Sequence, residues 1–373
     1  MSLKPEAGKI NHNPKCNHQR MQIMNKKRVI NLHLHMKILI IVVFLSILSE
    51  TAQSASSAVI ISYHRFGESG YPSTNIKLKQ LDAHIKELKS GPYTVLPVTE
   101  IIEKLKAKKS LPDRTVGITI DDAYRSIYTE AWPKLKAANL PFTVFISTAH
   151  VDHGSIHHLT WNQIREMRAM GVDFGHHSVS HLHMPKATPT SITQEIEFAN
   201  QRFEKELGLK PKLFAYPYGE ASRTVKNLIK NAGFIAAFGQ HSGVIDGTGD
   251  FTYLPRFSLN EKFGGMTRFR ILANALSIPV RDMTPNDPLI TVYNPPAIGF
   301  TVRGQLASPK ADLSRLSCFL NHDRQGTKIS ILGPRIEIRS QEPMPIGRTR
   351  LNCTMPTKQG RWRWFGHQFI RIK

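Results

Sequence analysis

Short runs of β-branched and aromatic residues alternate with helically spaced segments from Ala58 to Phe257, and this alternation narrows the fold before any single residue does. Ala58–Tyr63, Thr115–Ile120, Phe142–Ile146, Gly171–Gly175, Lys212–Tyr216, Phe234–Phe238 and Tyr253–Phe257 read as buried strands, with a shorter one at Tyr93–Leu96. Between them, Leu78–Leu88, Val98–Lys108, Tyr128–Ala138, Trp161–Met170, Thr193–Leu207 and Ser222–Ala232 carry apolar residues at helical spacing. Thr160 is placed to cap the fourth of these helices and Gly208 to close the fifth. Strand and helix exchange seven or eight times over about two hundred residues, which favours an α/β barrel over an open sheet.

The pattern changes at residues 282–297, where Pro285, Pro288, Pro295 and Pro296 crowd together. This segment is expected to link a barrel over 58–281 to a small basic module over 298–373. Within the module, Gly299–Arg303, Lys328–Leu332, Arg335–Arg339 and Arg348–Cys353 alternate apolar and polar residues, as in an all-β sandwich. Trp362 and Trp364 are expected to fill its core; the alternative is an aromatic and basic stripe that stacks sugars or meets nucleic acid. At the other end, Lys37 precedes the apolar run Ile38–Leu48, and small residues follow from Ala52 to Ala58. The run is short for a membrane span, and the order is that of a secretory signal over 36–57. Residues 1–35 then form an upstream extension ahead of a start at Met36. A signal left uncleaved is the one membrane contact foreseen, and the expected destination is the periplasm or the exterior.

The 373 residues carry a net charge of +22, so nucleic acid has to be weighed as a partner. The excess is concentrated at the ends: eight Lys/Arg face one Glu in residues 1–37, and fourteen face four Asp/Glu in residues 303–373. A basic C-terminal module on an exported protein suits an anionic cell-envelope polymer, and the export signal argues against nucleic acid. With Cys16 in the upstream extension, Cys318 and Cys353 remain as a single pair for a disulfide in an oxidising compartment, the alternative being two free buried thiols.

Chemistry-bearing residues stand at the ends of three of these strands. Thr115–Ile120 runs into Asp121 and Asp122, the next delivers His176, His177, Ser178 and His181, and a third leads to Ala215-Tyr-Pro-Tyr-Gly219. In α/β folds reactive groups gather where strands end. One carboxylate and two imidazoles make a mixed ligand set for a divalent metal such as zinc, with positions left for water and substrate. A cation there acidifies water and polarises an acyl oxygen, and the second carboxylate is free to take the proton. An H-E-x-x-H protease pattern fails because Ser178 follows the first His. A two-His-one-carboxylate iron site leaves the spare Asp unexplained. The plainest alternative makes Asp122 the cap of a helix beginning near Ala123.

These residues resemble the polysaccharide deacetylases of the NodB-homology type, carbohydrate esterase family 4. Thr119-Ile-Asp-Asp-Ala123 is similar to that family's T-F-D-D-G, His177-Ser-Val-Ser-His181 to H-[ST]-x-x-H, Ala215-Tyr-Pro-Tyr-Gly219 to R-x-P-[FY]-G, and Ser62-Tyr-His-Arg65 to a Y-H-R segment near the first strand. The resemblance, over about Val59 to Leu259, implies a distorted (β/α) barrel with fewer than eight closed strands. It implies Asp121 as base, Asp122, His177 and His181 as metal ligands, and the Tyr218 backbone N–H as an oxyanion donor. His176 becomes a neighbour of the ligands. Ile120 and Ala123 replace the motif's Phe and Gly, both expected to be tolerable packing changes. Ala215 replaces the motif's Arg, and Arg256 at the end of the last strand is the candidate to supply that guanidinium, the alternative being a structural Arg. A general-acid His is not placed by its motif: His241 is the first candidate and His64 the second, while Leu320-Asn-His322 matches only in letters.

The function implied is metal-dependent removal of N-acetyl groups from an exported, N-acetylglucosamine-containing polysaccharide, with release of acetate. The rival readings are a catalytically impaired carbohydrate-binding protein on the same barrel, an O-acetyl or small-amide hydrolase, and a nucleic-acid binder.

Overall fold

A computed structural model describes residues 54–372. The upstream extension and nearly all of the expected signal segment lie outside the described residues. Among those described, no helix is long and apolar enough to cross a membrane.

The N-terminal part is built on eight strands: β1 (Ser57–Tyr63), β2 (Thr115–Asp121), β3 (Thr143–Ile146), β4 (Asp173–His176), β5 (Leu213–Ala215), β6 (Ala236–Phe238), β7 (Ile245–Asp246) and β8 (Phe257–Ser258). They pair in the order β6-β5-β4-β3-β2-β1-β7, with β8 also on β1 and Thr94–Val95 on β2. Every pairing is parallel except that of β7, and the sheet curls into a half-barrel with helices around it. All seven residues of β2 are buried, as expected for a strand flanked by parallel neighbours and covered on both faces. Side-chain alternation divides β1 between two apolar clusters. Val59 and Ile61 join Leu81, Leu135 and Met167 from surrounding helices, while Ala58 and Ile60 join Ile101, Phe145 and Phe238.

Register decides where the chemistry collects. Asp121 is paired with Phe145, Ile146 with His176, and His176 with Phe214, so β2, β3, β4 and β5 end side by side. Helix starts and stops support this order. Thr160 Oγ1 accepts the Gln163 N–H at the start of Trp161–Ala169, and Gly208 closes Pro189–Leu207 in the left-handed region (φ 61°).

The C-terminal module is two facing sheets. One holds β9 (Leu276–Ser277), β11 (Leu289–Ile290), β13 (Ser317–Leu320), β16 (Gly347–Pro356) and β17 (Trp362–Arg371). The other holds β10 (Val280–Thr284), β12 (Ile298–Val302), β14 (Lys328–Leu332) and β15 (Arg335–Arg339). Phe300, Ile336 and Ile338 of the second pack with Leu320, Leu351 and Phe369 of the first in one core. Cys318 and Cys353 sit opposite each other on β13 and β16 and form a disulfide.

Two expectations need correction. The segment 282–297 is not a plain linker, since the end of β10 and the whole of β11 lie in it. Its prolines fall outside both strands, where no ladder N–H is required. The two tryptophans do not fill the sandwich core. Trp362 is 38% exposed, and Trp364 meets Phe257 of the barrel edge-on at 5.0 Å while its Nε1 donates to Asn352 Oδ1 at 3.2 Å. The same strand end binds the barrel through Arg361, which pairs with Asp113 at 2.8 Å. This stripe therefore docks the module on the barrel, because β17 is an interface strand on that side.

The disulfide closes a 35-residue separation. Its removal by Cys353→Ser is expected to lower stability by roughly 4 kcal/mol, read as a shift in the denaturant midpoint that reductant reproduces in the native chain.

Candidate functional site

At the end of β2 the backbone turns sharply. Asp122 and Ala123 both have left-handed φ, 73° and 55°; the helical segment begins two residues later, at Arg125, and Asp122 does not cap it. The turn sends adjacent carboxylates to different partners. Asp121 is fully buried and takes both arms of the Arg256 guanidinium, Nη1 to Oδ1 at 2.7 Å and Nη2 to Oδ2 at 2.8 Å. Burial alone pushes the Asp121 carboxyl up, but the Arg256 charge, with His64 and His177 beyond it, holds it below the ordinary range. Arg256 is itself fully buried and is fixed by the Gly239 carbonyl at 3.0 Å and Thr119 Oγ1 at 3.1 Å.

Asp122 faces the histidine loop instead. Its Oδ1 lies 3.3 Å from both His177 Nε2 and His181 Nε2. His177 Nδ1 lies 2.7 Å from the Ala215 carbonyl, which fixes the proton on that nitrogen and turns the Nε2 lone pair toward Asp122. The loop that carries His181 is held by Glu195: Oε2 accepts the N–H groups of Val179 and Ser180, both at 2.9 Å, and Oε1 accepts the Ser180 hydroxyl at 2.8 Å. His176 points away, joining the Ser178 N–H to the Ile196 carbonyl, and burial lowers its pKa to about 3.

One ligand atom from each of Asp122, His177 and His181 lies within 4.8 Å of the others. Asp122 Oδ1 and His177 Nε2 are buried with no hydrogen-bond partner. Such orphaned polar atoms are costly unless something binds them, and one carboxylate with two imidazole nitrogens fits a divalent ion such as zinc. Burial pushes the Asp122 carboxyl up, but His177 and His181 hold it well below the usual range, so it stands ionised as a ligand must.

The cluster opens into a cavity of about 610 Å³ whose lining includes His64, Asp122, His181, Tyr218 and Gln240. Tyr218, in the left-handed region (φ 59°), sets its ring edge-on to His181 with centroids 4.3 Å apart. His64 Nε2 is 3.7 Å from Asp121 Oδ2. His241 is not brought to this place. It lines a separate cavity between barrel and module and packs on Tyr253 and His367 (centroids 4.6 and 5.8 Å). His322 lies in the module against Ser340. Glu195 and the Ala215 carbonyl had no sequence signal, since each acts through a fold-dependent contact.

Three comparisons bear on this geometry. Residues 108–237 match the family model described as polysaccharide deacetylase. A poly-beta-1,6-N-acetyl-D-glucosamine N-deacetylase of Staphylococcus aureus (strain MSSA476) is 26% identical over 233 residues, 55% of this chain and 80% of that one. YxkH of Bacillus subtilis (strain 168) is 27% identical over 175 residues, 47% of this chain and 61% of that relative, less than two thirds of its length. Among solved structures, IcaB from Ammonifex degensii superposes with a TM-score of 0.53 at 24% identity, over 59% of this chain and 98% of that one, a likeness of fold.

The strained turn gives a test at Ala123, which is fully buried at φ 55°. A left-handed non-glycine residue costs about 1–2 kcal/mol, part of which glycine returns as unfolded-state entropy. Ala123→Gly is therefore expected to stabilise the protein by up to about 1 kcal/mol in equilibrium denaturation; a loss of stability would mean that the Cβ contacts outweigh the strain. The replacement of Gly by Ala here is thus a backbone matter as well as the packing change expected from sequence.

Proposed function

For a chain whose residues 108–237 match the polysaccharide deacetylase family model, we propose hydrolysis of the N-acetyl groups of an exported glycan containing N-acetylglucosamine, with release of acetate. The observation that carries this reading is the division of labour between neighbours: Asp122 faces two imidazoles while Asp121, one residue away, is held by a buried guanidinium. The name of the Staphylococcus aureus relative supports the substrate class. A divalent cation, with zinc the expected ion, held by Asp122, His177 and His181 would polarise the acetyl carbonyl and acidify the attacking water.

The chain's own residues do the rest. Asp121 accepts the proton of the water as the new C–O bond forms, and Arg256 keeps that carboxylate ionised and aimed. The backbone N–H of Tyr218 donates to the developing oxyanion. As the C–N bond breaks, the amine nitrogen takes a proton from His64, which shares the cavity with Asp122 and stands beside Asp121. His64 is preferred to His241 for this step because the His241 ring lines another cavity.

Acetate release from N-acetylglucosamine oligomers, measured with the metal content of the purified chain, tests the proposal. Asp121→Asn is expected to lower kcat by roughly 10²–10⁴-fold with metal still bound, whereas His181→Ala loses the metal. Metal-loaded protein that releases no acetate from any acetylated glycan would end the enzymatic reading.

Arg256 gives a pH test with a definite sign. Activity needs ionised Asp121 and falls as pH drops through its pKa. Arg256→Ala removes the charge that depresses that pKa and leaves the burial that raises it, so the acid limb of kcat/KM is expected to move to higher pH. An unmoved limb with undiminished turnover would make Arg256 structural only.

A further inference from the structure

The far wall of the cation cavity comes from the C-terminal module, outside the matched segment 108–237. Arg348 and Arg350 are two residues apart on β16, so strand alternation puts both on one face, and both line the cavity that holds Asp122, His181 and Tyr218. Arg348 is 40% exposed and stands over the Tyr218 ring, 5.6 Å from its centroid, with Nη1 donating to the Tyr218 carbonyl at 3.3 Å. Its nearest carboxylate is Glu220, whose Oε1 lies 3.8 Å from Arg348 Nε while Oε2 meets His183 Nδ1 at 2.7 Å. Arg350 is half-buried, and its Nε donates to Gln368 Oε1 at 3.1 Å. Among the described residues it has no carboxylate partner, and burial pushes its pKa down.

The cavity's charge is therefore lopsided. Among the described residues Asp122 is the one carboxylate in its lining, and it is committed to the two imidazoles and, on the proposed reading, a cation. Of the two guanidinium groups, Arg348 has only the long contact to Glu220 at 3.8 Å, and Arg350 has no carboxylate among the described residues. A guanidinium partly withdrawn from water is costly without an anion, and its planar fork matches the paired oxygens of a carboxylate or phosphate.

We propose that Arg348 and Arg350 form a subsite for an anionic oxygen group, a carboxylate or a phosphate, carried by the glycan close to the N-acetyl group that enters the cavity. The placing of the N-acetyl group rests on the deacetylase reading; the anion subsite does not. The module then acts as a specificity element as well as a cover, selecting charged glycans over neutral ones.

Calorimetric titration of the full chain tests this, with hyaluronan tetrasaccharide against neutral chitotetraose as the carboxylate pair. N-acetylglucosamine 6-phosphate against N-acetylglucosamine serves as the phosphate pair. One anionic probe is expected to bind roughly tenfold or more tightly than its neutral partner, with the gap shrinking as salt is raised. The pair that shows the gap identifies the anion. Arg348→Gln with Arg350→Gln should close the gap and Arg350→Lys should keep part of it, with circular dichroism melts reporting that each variant is folded. Equal binding within both pairs, or a gap that survives the double substitution, overturns the proposal. Acetate release is scored separately. A gap without acetate from any glycan sinks the deacetylase reading alone, and acetate without a gap sinks the subsite alone.

Discussion

The bidentate contact between Arg256 and Asp121 is the interaction on which the site depends. Both groups are fully removed from water, where an unpaired charge costs several kcal/mol and a well-formed pair about breaks even. Arg256 comes from the chain entering β8 and Asp121 from the end of β2, so the pair ties the last barrel strand to the strand that begins the site. It forces the first carboxylate inward, and the left-handed turn that follows sends the second outward. Two acids adjacent in sequence thus reach environments that differ in charge, partner and access.

Left-handed backbone at non-glycine residues concentrates around the same place. Asp122, Ala123, Ser178, His181 and Tyr218 all have positive φ. Such conformations persist where the surroundings over-determine them. Here the Glu195 carboxylate clamps one loop, and Gln368 Nε2 donates to the Gly219 carbonyl at 2.8 Å beside another. The second of these clamps belongs to the C-terminal module, which therefore supports the site from outside the barrel. Arg361 on Asp113 and Trp364 on Phe257 fix the module at its other end.

Much of this was legible from the chain alone, for reasons that can be named. The β-branched run Val116–Ile120 must be buried on both faces, and the helices with clear apolar stripes have one way to face it. Thr160 and Gly208 mark helix ends by local hydrogen bonding and backbone freedom. Trp364 was misjudged because periodicity reports that a residue is covered and not what covers it. Residues 282–297 misled because proline density suggests a linker even where the prolines stand outside the strands.

The sequence by itself determined the alternation of strand and helix, the two acids at one strand end and the H-S-x-x-H loop at another, because these are local matters of period and spacing. Only the tertiary structure decided that Arg256 reaches Asp121, that His64 and not His241 shares the cavity lined by Asp122 and His181, and that Arg348 and Arg350 line it too. The physical reason is distance along the chain: Arg256 and Asp121 are separated by 135 residues, and which distant side chains meet is settled by strand register and sheet curvature, which no local pattern encodes.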